Sequence, residues 1–345
     1  MTALRIRMLF LMLLCACCAS PSSAADQYTG EVPVISQDDA LRTEAMVAAL
    51  AQVLVKVSGD PKAAERPAMK SALENPEPLI QAYYYRQEVD RSGPTPAMKL
   101  YYAANFDPRA ITRLLSSSGL SQWARERPAL MVWVATDQGG STALMGPSSL
   151  SPLMQRAGER GIVLKAASIE GDESELERLG DVERRSLDNL RQIASKSGTP
   201  GVLAGTLYPT SEGFIGRFAF SDGERAEEFE ARGDTAEATL RAVADETANR
   251  LASRYAFDAA DSEPVSVAAM VRGINSAQEF ARIHSYLTSL SVVRSVSIGA
   301  AAADTMNLVV VVSGGAERLK QIIALNDILS VAGDGSDGIL VLDRR

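Results

Sequence analysis

Residues 28–60 read YTGEVPVISQDDALRTEAMVAALAQVLVKVSGD. The first eight, YTGEVPVI, have the composition of a β-strand. Apolar residues then recur at helical spacing, at Leu41, Met46, Leu50, Val53, Leu54 and Val57. We expect Ser36 to cap this helix at its start and Gly59-Asp60-Pro61 to end it. A strand that leads directly into an amphipathic helix indicates a fold in which helices pack on small sheets, and so predicts the α+β class.

The segments that follow extend the same unit. LIQAYYYRQEVD (79–90) and MKLYYAANFD (98–107) are typical of two strands paired around a polar turn. Asp107 and Pro108 are the residues expected at the start of a second helix, and Gly119 is expected to end it. Residues 26–126 are therefore predicted to form an N-terminal α+β domain.

A middle α/β domain is predicted for residues 127–257. It begins with the apolar strand PALMVWVATD (128–137) and a Gly/Ser-rich loop at 139–149, followed by a short helix, a strand and a helix over 182–197. Three strands joined by short turns then form a meander. A last helix, 235–255, is expected to be capped by Asp234.

The acidic segment FDAADSEP (257–264) is predicted to be a linker. Beyond it, residues 264–345 show the order βαββαβ, with Ser276 and Glu279 spaced as a capping box at the start of the first helix. This order predicts a ferredoxin-like C-terminal domain, with its helices on one face of a sheet. The expected architecture is thus α+β, built from several small mixed α/β units.

The N-terminus has the layout of a secretory signal peptide. Arg5 and Arg7 precede a short apolar run, and small residues lead to an expected cleavage site between Ala25 and Asp26. The run is too short to span a bilayer, so we expect no transmembrane segment after processing and a periplasmic location. A lipid anchor on Cys17, within a loose lipobox, is the alternative.

Composition restricts the chemistry. The chain has 345 residues and a formal net charge of −8, which disfavours nucleic acid as a partner. Its three cysteines lie at positions 15, 17 and 18 and would leave with the signal peptide, and it has one histidine, His284. This inventory favours a protein without cofactor and without thiol, His-zinc or Ser-His catalysis, although carboxylate chemistry remains open.

Two groups of residues are candidates for interaction. Tyr83, Tyr84 and Tyr85 could stack on a ligand or partner, but aromatic residues in facing strands also form cross-strand pairs. Alternation along the strand places Tyr84 on the face opposite Tyr83 and Tyr85. Gly314 and Gly315 lie between a strand and a helix, where their amides could hold an anion or form a tight turn.

Other motifs have structural explanations. His284 shares an apolar helix face with Ile283 and Leu287 and is expected to pack in or beside the core. The loop at Ser141 departs from the nucleophile elbow, and GDGSDG (333–338) departs from the EF-hand spacing. We therefore expect a flexible loop and a polar turn at these two places.

The VPV strand, Arg42 at the helix entry, VLVKVSGD at its end and the aromatic strand near 83–85 resemble a family of secreted Gram-negative proteins, domain of unknown function 2066. The order of elements in the middle domain is similar to small periplasmic domains of envelope assembly proteins. These resemblances imply an envelope location and no particular reaction. The interpretation that follows is a non-enzymatic adaptor or assembly factor with a protein partner in the envelope. The alternatives are a carboxylate-dependent envelope hydrolase and a small-ligand-binding module.

Overall fold

The fold is α+β, as predicted, in a computed structural model of the chain. The structure describes residues 27–90, 95–168, 173–199, 201–223, 225–257, 263–302, 304–326, 328–335 and 338–345. Within these ranges, no helix combines the length and the apolar character that crossing a membrane would require.

The first sheet has three antiparallel strands in the order β1-β3-β2. The strands are β1 (Thr29–Val34), β2 (Ile80–Asp90) and β3 (Ala97–Phe106). The helices are α1 (Asp39–Ser58), α2 (Lys70–Glu74) and α3 (Pro108–Ser117). Apolar residues of α1 pack with Tyr102 and Phe106 of β3 to form the core of this unit, because the alternation along β3 turns these two rings toward the helix.

The ends of α1 and α3 are determined mostly by residues close to them in the sequence. Gly59 adopts φ 77° and ends α1, and the Asp107 carboxylate accepts hydrogen bonds from the backbone N–H groups of Arg109 and Ala110 at the start of α3. The predicted cap of α1 is wrong. The N-cap is Asp38, and the Ser36 hydroxyl is turned to the Asp38 carboxylate at 2.5 Å instead of to the helix.

The second sheet has the order β10-β9-β8-β5-β6, with β7 also paired to β5. Its strands are β5 (Ala129–Asp137), β6 (Thr142–Leu144), β7 (Val163–Ala166), β8 (Gly201–Thr210), β9 (Gly213–Ser221) and β10 (Ala226–Gly233). Its helices are α4 (Ser151–Arg160), α5 (Glu173–Arg184), α6 (Leu187–Lys196) and α7 (Ala236–Tyr255). Strands β5, β7 and β8 are parallel, while β8, β9 and β10 form the predicted antiparallel meander.

Three predictions for this part need correction. The single helix over 182–197 is two helices, because Arg185 adopts φ 54° and interrupts the chain between α5 and α6. The loop at 139–149 contains the short strand β6, which pairs antiparallel with β5. Helix α7 is capped by the hydroxyl of Thr235, which accepts from the backbone N–H of Ala238, and not by Asp234.

The third sheet has the order β13-β14-β12-β16-β15. Its strands are β12 (Pro264–Arg272), β13 (Val293–Ala302), β14 (Thr305–Ser313), β15 (Leu329–Asp334) and β16 (Leu340–Arg344), and its helices are α8 (Ala277–Ser289) and α9 (Gly315–Ala324). The capping box is present in part: Ser276 accepts from the backbone N–H of Glu279, whose carboxylate accepts from the N–H of Asn275.

The ferredoxin-like order holds up to α9 and changes at the last strand. The predicted βαββαβ unit closes with one strand antiparallel to β12. Here β15 has that direction but lies at the edge, and β16 is inserted between β12 and β15, parallel to β12. The closing element is therefore a hairpin.

A two-stranded pairing connects distant parts of the chain. Strand β4 (Gln122–Trp123) pairs with β11 (Ala256–Phe257), at the start of the predicted linker. Ala124 packs into the core of the third sheet, while Trp123 packs into the core of the second. Residues 258–262 of the predicted linker lie outside the described residues.

Candidate interaction surface

Three tyrosines form an aromatic cluster on the core-facing side of the first sheet. Tyr85 stands opposite Tyr102 in the strand register. The Tyr83 and Tyr102 rings stack with centroids 5.6 Å apart, and the Tyr85 ring meets Tyr102 edge to face, also at 5.6 Å. Arg42 of α1 lies over the Tyr83 ring at 5.8 Å. Tyr85 and Tyr102 thus form a cross-strand pair, which stabilises the sheet.

Tyr84 is directed to the opposite face, as alternation requires. It stands opposite Ala103 in the register, and 48% of its surface is exposed. On the same face, Arg86 forms salt bridges with Glu31 and Glu88 and stacks over the Tyr101 ring at 4.9 Å. The two hydrogen bonds to carboxylates raise the pKa of Arg86, because they favour its charged form. A fixed ion-pair network therefore lies beside an exposed ring.

Strand β2 is an open edge of this sheet. Among the described strands it pairs only with β3, so its other side presents backbone N–H and C=O groups without a strand partner. Its side chains are mostly exposed, and Tyr83 is 48% exposed at the margin of the aromatic cluster. The first half, Ile80–Tyr85, contains neither proline nor a charged residue. The other edge strand, β1, carries Pro33, which lacks a donor.

An apolar groove lies at the β1 edge of the sheet, on the side that α1 covers, where β1, the start of α1 and the start of β3 meet. It has a volume of about 770 Å³. At its mouth, Ile35 is 91% exposed and Met98 is 63% exposed. Exposed large apolar residues thus occur on the β2 edge and at the mouth of this groove, and others lie on the second and third sheets.

The Gly314-Gly315 pair forms a tight turn between β14 and α9. The two residues adopt φ values of 84° and 74°, a region that glycine enters without strain. A Cβ on Gly314 would lie 3.3 Å from Cβ of Arg318, whereas one on Gly315 would meet no atom within 4 Å. The backbone conformation accounts for both glycines.

His284 lies beside the core, as predicted, whereas the loop predicted at Ser141 is part of a hairpin. His284 is half-buried beside Ile283 and Leu287, and its ring centroid is 5.7 Å from that of Phe280. Ser141 is exposed in the β5–β6 hairpin, where the backbone N–H groups of the two preceding glycines donate to the Asp137 carboxylate. Strand β6, and not a helix, follows Ser141, so the loop is a hairpin rather than a nucleophile elbow.

The pKa values of Asp60 and Asp107 are lowered, whereas a general acid requires a raised one. Burial opposes the ionisation of Asp60, but hydrogen bonds from the Lys62 backbone and the Arg66 side chain outweigh it and lower the pKa. Backbone hydrogen bonds also lower the pKa of Asp107. A search of the described residues finds no group of three or more His, Cys, Asp or Glu side chains placed to hold a metal ion. The GDGSDG turn falls partly outside those residues, at positions 336 and 337.

One buried polar cluster was not predicted. The Asp222 side chain is fully buried and accepts hydrogen bonds from Arg254 and from the Tyr255 hydroxyl, the latter at 2.8 Å. Arg254 also pairs with Glu227 and stacks over the Phe220 ring. These residues come from β9, the β9–β10 turn, β10 and α7, so no local pattern indicates their proximity. The predicted cleavage site, Ala25-Asp26, lies outside the described residues.

A family model described as domain of unknown function DUF8605 matches residues 22–124. The resemblance to domain of unknown function 2066 is therefore wrong. The features that suggested it, a VPV strand, Arg42 and a Gly-terminated helix, describe a strand, a helix entry and a C-cap, which unrelated α+β proteins can share. No curated protein and no solved structure matches the chain.

Proposed function

We propose that the protein is a non-enzymatic adaptor or assembly factor of the cell envelope, and that it binds a partner protein along the β2 edge. The observation that supports this most directly is the exposure of Tyr83 and Tyr84 on an edge strand that pairs with β3 on one side and with none of the described strands on the other. Half-exposed tyrosines on a rigid strand combine large contact area with little conformational entropy to lose on binding.

The partner that fits this edge is an extended peptide segment. An added strand would pair with the open backbone groups of β2, and its alternate side chains would meet the tyrosines. The Ile80–Tyr85 half of β2 suits such a partner best, because charged residues, which discourage strand addition, begin at Arg86.

The periplasm is the proposed location, supported by the signal-peptide pattern of the first 25 residues. The protein after cleavage would contain no cysteine, which suits an oxidising compartment because no thiol can mispair.

The hydrolase alternative has less support. It calls for two converging carboxyl groups, one of them with a raised pKa, in a deep cleft. Two carboxyl groups with a clearly shifted pKa, Asp60 and Asp107, are both shifted downward.

Site-specific photocrosslinking in intact cells tests the proposal. A photoreactive phenylalanine analogue placed at Tyr84 is expected to capture one partner, identifiable by mass spectrometry. The matched control is the same analogue at Ile298, which is 55% exposed on β13, the edge strand of another sheet. Capture at both positions alike, or at neither, would contradict an interface on β2.

A second variant separates binding from folding. Adding Tyr83→Lys to the Tyr84 probe places a charge on the edge and is expected to abolish capture. The melting temperature of both proteins is measured, so that a loss of fold is recognised. Undiminished capture by a folded Tyr83→Lys protein would place the interface elsewhere.

A further inference from the structure

A cleft of about 530 Å³ lies where the first and third sheets approach each other. Helix α3 forms one wall, the β4–β11 pair forms the base, and the start of β13 with the end of β14 forms the opposite wall. Its size is within the range of small-molecule sites. It is separate from the β2 edge and does not depend on the proposed function.

Three arginines line this cleft: Arg109, Arg113 and Arg294. The first two are four residues apart on α3 and therefore share a helix face, where like charges destabilise the helix. Arg294 comes from β13, across the cleft, and its Nε donates to the Ser313 hydroxyl at 3.0 Å. The fold therefore gathers positive charge from two distant parts of an acidic chain.

No aspartate or glutamate lines the cleft, and none of the three arginines forms a salt bridge within the described chain. The pKa of Asp107 is lowered mainly by backbone hydrogen bonds and also by the charge of Arg113, although these two side chains form no salt bridge. Asp107 accepts from the backbone at the start of α3, and Glu126 accepts from the backbone N–H and hydroxyl of Ser291. Arg86, by contrast, is paired with two acids, Glu31 and Glu88.

Trp123 forms part of the wall of the cleft. Its side chain is buried, and its Nε1–H has no hydrogen-bond acceptor in the described part of the protein. That nitrogen has almost no accessible surface, so Trp123 contributes a buried wall and not a hydrogen bond to a ligand. The remaining polar lining is neutral and rich in hydroxyls, at Thr112, Ser116, Ser291 and Ser313.

We propose that this cleft binds a phosphate-bearing organic anion. Guanidinium groups donate paired hydrogen bonds to phosphate oxygens, and the three charges would be neutralised by a group that carries two or more negative charges. The apolar side chains of Val57, Phe257 and Val292 leave room beside them for a small organic part. A soluble phosphate ester and the headgroup of an anionic phospholipid share this chemistry.

Tryptophan fluorescence can measure ligand binding in the cleft. The chain has two tryptophans, and Trp133→Phe leaves Trp123 as the only reporter, inside the proposed site. We expect its emission to change on titration with pyrophosphate or glycerol 3-phosphate, and not with sodium chloride at matched ionic strength. A parallel titration uses vesicles of phosphatidylcholine with an equal share of phosphatidylglycerol. Response to the soluble phosphates identifies a free ligand, and response to the vesicles alone identifies a headgroup.

The arginine variants decide whether the cleft is responsible. Arg113→Gln and Arg294→Gln are each expected to weaken binding about tenfold, because each loses a charge-assisted hydrogen bond. Arg282→Gln, an exposed arginine on α8, removes the same charge outside the cleft and should bind like the parent. All variants are checked by thermal melting. The absence of any response, or an equal response in the cleft variants and in Arg282→Gln, would overturn the proposal.

Discussion

The guanidinium group of Arg127 lies 3.9 Å from the centroid of the Trp123 ring. Its Nη atoms donate to the backbone carbonyls of Lys56 and Gly161, each at 2.6 Å. One side chain thus connects the end of α1 to the α4–β7 turn. Burial lowers the pKa of Arg127, because removing the guanidinium group from water disfavours its charged form, and the charge of Arg160 acts in the same direction.

Replacing this arginine should destabilise the whole protein. Arg127→Met would leave the two carbonyls without a donor, and we expect a loss of about 3 kcal/mol in the free energy of unfolding. Urea denaturation measures it. Arg241→Met, on the exposed side of α7, is the control and should change stability by less than about 0.5 kcal/mol. An equal loss of stability in Arg127→Met and Arg241→Met would show that the hydrogen bonds of Arg127 do not stabilise the fold.

Tyr102→Phe is expected to stabilise the protein. The Tyr102 side chain is fully buried, and its hydroxyl has no partner among the described residues. Removing an unpaired buried hydroxyl while retaining the stacked ring should add about 1 kcal/mol. Thermal melting compares it with Tyr84→Phe, which changes an exposed hydroxyl and should have little effect. A lower melting temperature for Tyr102→Phe would mean that the hydroxyl is bonded.

Stability should also fall at alkaline pH. Burial raises the pKa of both Tyr102 and Tyr286 from 10.0 to about 12. Between these values the unfolded chain loses protons that the folded protein keeps, so unfolding becomes more favourable as pH rises. Below pH 10 both tyrosines are protonated in the folded and the unfolded protein, so they do not change the free energy of unfolding with pH. Denaturation at several pH values measures the free energy of unfolding. Above pH 10 it should fall less steeply with pH in Tyr102→Phe than in the parent protein. Identical slopes would show that Tyr102 does not contribute to the alkaline loss of stability.

The conformation at Gly315 can be tested without steric interference. Gly315→Ala meets no neighbouring atom but must adopt a φ of 74°, so we expect a loss of about 1 kcal/mol. Gly158→Ala, within α4 and equally free of contacts, should instead gain about 0.5–1 kcal/mol from helix propensity. Thermal denaturation should show a lower stability for Gly315→Ala and a higher stability for Gly158→Ala. A gain in stability at both positions would argue against the positive φ at Gly315.

Processing of the N-terminus is predicted to expose Asp26. The charged, apolar and small-residue order of the first 25 residues places cleavage after Ala25. The intact mass of the exported protein measures the position, with an Ala25→Asp variant as a control in which cleavage should fail or shift. A mature chain that begins at a lipid-modified Cys17 would replace this prediction with the lipid-anchor alternative.

The sequence alone was sufficient for the fold class and for most strands and helices. Apolar alternation marks β3, Gly59 ends α1, and Asp107 and Ser276 cap α3 and α8. These features could be predicted because each depends on interactions between residues only a few positions apart. The candidate tyrosines were identified in the same way, including the opposite direction of Tyr84.

Only the tertiary structure established which elements meet. The parallel insertion of β16 beside β12, the contact of Arg127 with Trp123, and the convergence of Arg294 with the α3 arginines join residues far apart in the chain. Strand order and register depend on how whole faces pack, and not on local propensity. For the same reason the open edge of β2 could not be predicted, since an edge is defined by the absence of a neighbouring strand.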